Sequence, residues 1–221
     1  MRTYDQRRYR MLVRITEFGV AHQDRFPAHG PARRLFAAVE TAVDQLSTYV
    51  TAQDAGRVAS RESAVSKAAA RKALNQALDV IARTARALDS PDIRSTFYLP
   101  PVRNDYDAAT AARTFMRDAV PLRGPLIAHG LPKSFLTDLE ERLDAFERAT
   151  RDRLSALEMC AAAAAGLDMA MARATHALTR LDAIVANTLR DEPRLLQTWT
   201  TLRRVPRSRA TRRRAEVLAG A

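Results

Sequence analysis

The chain has 221 residues, an apolar fraction of 47% and a formal net charge of +11, so it can bury a core and suits one domain, with or without an appendage. Aromatics are only 6%, glycines number 7 and β-branched runs are almost absent. Alanine is about a fifth of the chain, and alanine, leucine, arginine and glutamate lose little side-chain freedom in a helix; the composition argues against a sheet and for an all-α fold.

The first segment, MRTYDQRRYRMLVRITEFG, has no uninterrupted apolar core after its arginines, so no secretory signal is expected. No window approaches the roughly 20 apolar residues that span a bilayer, and the expectation is a soluble, cytoplasmic protein. From about Tyr4 to Phe26, the residues Tyr4, Met11, Ile15, Phe18 and His22 recur at helical spacing. FPAHGP breaks this helix, and Pro31 suits the first turn of the next. That second helix carries two stripes, Leu35, Val39, Ala42, Leu46 and Tyr49 beside Phe36, Val43 and Val50, which predicts two neighbours. From Thr51 to Ser63 the pattern weakens, and Gly56 with the serines predicts a bend or an exposed stretch of helix. The stripe returns at Leu74, Leu78, Ile81, Ala85 and Leu88.

DSPDIRSTFYLPPVRND, from Asp89 to Asp105, is expected to be the longest non-helical stretch, pinned across the bundle by Phe97, Tyr98 and Leu99. A helix from about Asp107 to Val120 follows, ended or kinked by Pro121, Gly124 and Pro125. In GLPKSF, Gly130 suits a C-terminal cap and Pro132 the opening of the next helix.

From Lys133 two rows step by seven. One is Leu136, Leu143, Thr150, Leu157, Ala164, Met171, Leu178, Val185; the other is Leu139, Phe146, Arg153, Cys160, Leu167, Ala174, Leu181, Thr188. They interleave by fours and threes, which predicts a coiled-coil-like seam on one helix from about 133 to 190, on the order of 80 Å long. The polar positions Thr150 and Arg153 predict a local bend or break. Around Ala161 to Ala165 the seam is small residues only, with Ala68, Ala69 and Ala70 as the expected facing surface. After RDEP, the residues Leu195, Leu196, Trp199 and Leu202 share one face of a short helix, too short to stand alone, so it docks with Trp199 as its structural anchor.

Chemistry is hard to find. The four histidines, His22, His29, His129 and His176, form no pair at i+3 or i+4, and none stands three residues after a glutamate. His29 and His129 suit helix C-terminal ends, where a cation complements the dipole. No glycine-rich phosphate loop or G-x-S-x-G elbow occurs. Cys160, the single cysteine, sits among alanines and cannot form an intramolecular disulfide. Glu140, Glu141, Asp144 and Glu147 alternate with Arg142, Arg148 and Arg151, as on a solvated face with i,i+4 pairing. Catalytic, cofactor-binding and metal residues are all expected to be none, and no cofactor is expected. The remaining enzyme-like reading is a small-molecule site using the Phe97–Tyr98 loop and His129.

The C-terminal end is basic. Arg203, Arg204, Arg207, Arg209, Arg212, Arg213 and Arg214 give seven arginines in twelve residues with no acid among them. Such a block repels itself and is expected to be disordered when unbound. It fits either non-specific binding of nucleic acid or another acidic partner, or a solvated tail; no aromatics interleave with the arginines to stack on bases.

YDQRRYRMLVRITEFG and RLDAIVANTLRDEPRLLQTW, with GPARRLFAAVETAV, ARTARAL and IAHGLPKSFLTDLEERLDAFE between them, resemble a family of uncharacterised all-helical bacterial proteins of about this length. The resemblance covers most of residues 4–202. It implies an all-helical fold and no assigned activity.

The expected architecture is therefore an all-α, elongated antiparallel bundle over residues 1–202, then a disordered arginine-rich tail over 203–221. The expected role is non-enzymatic, an interaction or structural protein meeting a protein partner or its own copy through helical faces. The alternative is a non-specific nucleic-acid-associated protein using the arm.

Overall fold

A computed structural model describes residues 3–88, 91–98 and 104–205. They form α1 (Thr3–Ala21), a 3-10 turn (Gln23–Arg25), α2 (Pro31–Ala87), α3 (Pro91–Thr96), α4 (Asp105–Ala119), α5 (Arg123–Ala128), α6 (Phe135–Thr188) and α7 (Pro193–Leu202), with no strand among the described residues. The fold is an all-α bundle in which α2 packs against α6. These helices run to 57 and 54 residues because neither interior holds a proline, and each holds one glycine. They are antiparallel: Arg173 donates to Gln45 Oε1 at 2.9 Å, and Tyr49, further along α2, packs on Gly166, further back along α6.

The chain forms two compact units. One comprises the described residues up to Asp54 together with those from Cys160 to Val205. Its core joins Leu12, Ile15 and Phe18 of α1 to Val39 and Leu46 of α2, and to Leu181, Val185 and Leu189 at the end of α6. Arg8 on α1 also bonds Thr175 on α6. The other unit comprises Ala55–Met159. There Leu74, Leu78 and Ile81 of α2 meet Phe115 of α4 and Leu139 and Phe146 of α6. Lys67 and Arg71 reach Asp105 at the start of α4, at 2.5 and 3.4 Å.

Several local expectations need correction. The stretch from Asp89 to Asp105 contains a helix, α3, because Pro91 sits at its first residue and Ser95 and Thr96 both donate to Asp92 O, at 2.8 and 2.9 Å. Of the three residues expected to pin it, Phe97 is buried edge-on against Phe115 at 5.2 Å, Tyr98 is 70% exposed, and Leu99 lies outside the described residues; Ile93 also packs against this core. α4 starts at Asp105, since Asn104 Oδ1 accepts the Asp107 N–H at 2.8 Å. α6 opens at Phe135 rather than at Pro132, with Ser134 holding Asp138 through both backbone and side chain. Gly130 takes φ +102°, the left-handed conformation that ends α5. His129 closes α5 with Nδ1 2.9 Å from Pro125 O, whereas His29 precedes α2 and so lies at the N-terminal side of a helix.

The weak stretch of α2 does not break; it is helical and mostly exposed. α6 is likewise unbroken at Thr150 and Arg153. The Arg153 guanidinium donates to both the carbonyl and the hydroxyl of Ser60 on α2, so its polar head is satisfied across the seam.

The seam itself is not in one phase. The row through Leu139, Phe146, Leu167, Ala174 and Leu181 is buried as expected. The other row shifts by one residue in the middle, where Ala149, Ala156, Ala163, Ala170 and Ala177 are buried and Leu157 is 45% exposed. Alanine leaves little bulk between the axes, so the helices can approach through this face; of the larger residues one position on, Leu157 is turned out while Met171 and Leu178 stay buried. Facing it, the buried apolar residues of α2 stop at Leu46 and resume at Leu74. Ala68 and Ala69 are exposed, as are Ala161, Ala162 and Ala165, against the expectation that these small residues pack.

Gly166 stands where Tyr49 crosses α6. A Cβ there would overlap the Tyr49 ring, inside any tolerable contact.

Candidate functional site

Trp199 is fixed by its helix. Glu192 precedes α7, Pro193 occupies its first residue, and Glu192 reaches Arg25 at 3.3 Å instead of capping. This sets Trp199 against Phe18 at 5.2 Å and edge-on to Phe36 at 6.1 Å, with only 2% of its surface exposed. Its Nε1 donates to Asp182 Oδ1 at 3.0 Å. A buried indole whose one donor is satisfied is a packing element, closed to a ligand.

The first arginine of the basic arm is part of the same arrangement. Arg203 pairs with Asp182 Oδ2. Arg204 is exposed. Arg207, Arg209, Arg212, Arg213 and Arg214 lie outside the described residues. The structure thus places Trp199 and Arg203 on one carboxylate, which the spacing of the sequence does not reveal because Asp182 is on α6.

A second basic feature comes from α1. Arg7, Arg10 and Arg14 line a surface groove with Tyr9 and Val13. These residues recur every three or four positions, so one helical face carries them all. α7 packs on α1 through Trp199 and Phe18, so the groove and the start of the arm belong to one unit.

The residues considered for chemistry stay dispersed. No cluster of three or more His, Cys, Asp or Glu suited to a metal occurs among the described residues. Phe97 is consumed by the core, Tyr98 is exposed, and His129 bonds its own helix end. Exposed Arg117 is held further toward its charged form by the hydrogen bond and charge of the adjacent Asp118. Glu147 pairs with Arg113 of α4 rather than with an arginine on its own helix, which corrects the i,i+4 expectation.

What the sequence rows missed is an outward face on α6. Leu154 is 58% exposed and Leu157 45%. They stand three residues apart and so share a face; Leu154 points away from buried Ala156, and Leu157 lies on the flank between the two. The signal was available in Leu154, a leucine that belongs to neither heptad row. α6 also contains an 18-residue window of mean hydropathy 1.3 that is long and apolar enough, by length and composition only, to cross a membrane; 33% of it is buried. The expectation that no window approaches this limit is amended accordingly.

No family model matches the chain, and neither a curated protein nor a solved structure matches it.

Proposed function

We propose that this is a non-enzymatic interaction or structural protein that docks a protein partner on the outward face of α6. The observation that carries the reading is the exposure of Leu154 and Leu157 on one face of a helix whose inward side is built of alanine. A scattered exposed leucine needs no explanation, but two adjacent on one face keep apolar area in water that a partner would remove. A photo-crosslinking side chain in place of Leu157, compared with one at exposed Thr41, tests it. A single adduct of defined mass from position 157 only is expected. Equal labelling at both positions, or none, ends the reading.

A second reading has its own support. The Arg7–Arg10–Arg14 groove adds three arginines and a tyrosine to the unit from which the arm leaves, which favours an anionic partner such as nucleic acid. Binding would be set by phosphate charge rather than by base sequence.

A further inference from the structure

We propose that the partner on α6 is a second copy of this chain, paired antiparallel about a two-fold axis at Leu154. This rests on the reading of the Leu154–Leu157 face as a docking surface. The argument comes from the charges around the two leucines. Arg151 lies three residues before Leu154 and Glu158 four after it, and both are exposed. One heptad separates Arg151 from Glu158, so they stand on the same flank of the helix.

When two identical helices meet antiparallel, like flanks face each other and the order along them reverses. An axis at Leu154 then sets Arg151 of each copy against Glu158 of the other, and the symmetry makes this pair twice. On the opposite flank the same axis sets Leu157 against Thr150, a half-buried residue that offers a methyl group. Leu154 meets its own copy at the centre. The surface is therefore self-complementary in both charge and apolarity, which is the requirement for an isologous interface. Arg148 and Asp152 lie off this stripe, so the pairing brings no like charges together at its centre. A parallel two-fold pairing would set opposite flanks against each other, so Arg151 would face Thr150 and Glu158 would face Leu157, leaving the two charges without each other, and is disfavoured by the same residues.

The test is a charge swap on the full chain, read by size-exclusion chromatography with light scattering over a range of concentrations. The unaltered chain is expected to give a concentration-dependent mass approaching twice that of one chain. Arg151→Glu and Glu158→Arg each place like charges on the flank and are expected to weaken the dimer about tenfold or more. The double variant exchanges the signs and is expected to restore the dimer to within about threefold of the original. Leu154→Glu abolishes the dimer while far-ultraviolet circular dichroism is unchanged, since Leu154 is exposed and contributes little to the fold. A chain that stays monomeric at every concentration overturns the pairing, and so does a dimer that neither single reversal weakens or that the double variant fails to restore. A crosslink from position 157 to a different protein also overturns the pairing while leaving the docking face in place; absence of any crosslink removes both.

Discussion

Asp182 holds Trp199 and Arg203 at once: the indole Nε1 donates to Oδ1 at 3.0 Å and the guanidinium pairs with Oδ2. One carboxylate on α6 thereby fixes both the body and the exit of α7. Trp199→Ala is expected to cost about 3–5 kcal/mol, the range for emptying a buried indole site. Trp199→Phe keeps a ring but leaves Asp182 short of a donor, at about 1–3 kcal/mol. Urea unfolding followed by circular dichroism separates the two. Asp182→Asn keeps an acceptor for the indole and loses the ion pair with half-exposed Arg203, so its cost is about 1 kcal/mol or less.

At Gly166 two effects oppose each other. Alanine in a helix interior is favoured over glycine by about 1 kcal/mol. Here the added Cβ meets the Tyr49 ring, and a contact that tight costs about 1–3 kcal/mol when the ring must move. Gly166→Ala is expected to be destabilising in the native background and neutral or stabilising once Tyr49→Ala has removed the ring. A double-mutant cycle on thermal unfolding gives the sign.

The alanine-lined stretch has little apolar surface to hold it. Within the unit formed by Ala55–Met159, amides of residues 57–67 are expected to exchange faster than those of residues 74–85, where Leu74, Leu78 and Ile81 are buried. Arg153→Ala removes the bonds to Ser60 and is expected to speed exchange further around Ser60. Hydrogen exchange read by mass spectrometry reports both.

The two routes to an anionic partner are separable. Each arginine–phosphate contact contributes about −0.9 to the slope of log K against log salt, so seven contacts from the arm would give a slope near −6. Deleting residues 206–221 is expected to flatten the slope. Replacing Arg7, Arg10 and Arg14 by Gln flattens it further if the α1 groove takes part. Gel shifts of a random duplex at several salt concentrations show this. Binding that neither change reduces sinks the nucleic-acid reading.

Much of this architecture was legible in the pattern of residues. Pro31 and Pro193 mark helix starts, and Leu35, Val39 and Leu46 bury the face that their spacing indicates. The core position of Trp199 follows from the same logic, since a short helix bearing one large apolar face must dock. What could not be read is how the two long helices register. Alanine is compatible with core and surface alike, so Ala149, Ala156 and Ala163 offer no contrast against Leu157, and the spacing points the larger residue inward. The same ambiguity obscures the outward apolar face, of which Leu154, outside both heptad rows, is the one trace in the pattern. Asp182 was illegible for another reason: its partners lie on a different helix, and pairing across helices leaves no periodic trace.

The central claim is that the outward face of α6 meets another chain. Sedimentation velocity on the full chain and on Leu154→Glu, each over a wide concentration range, tests it most directly. The account predicts a reversible monomer–dimer series for the native chain and a single monomeric species, of unchanged helicity, for the variant. Identical sedimentation of the two chains at every concentration would contradict it.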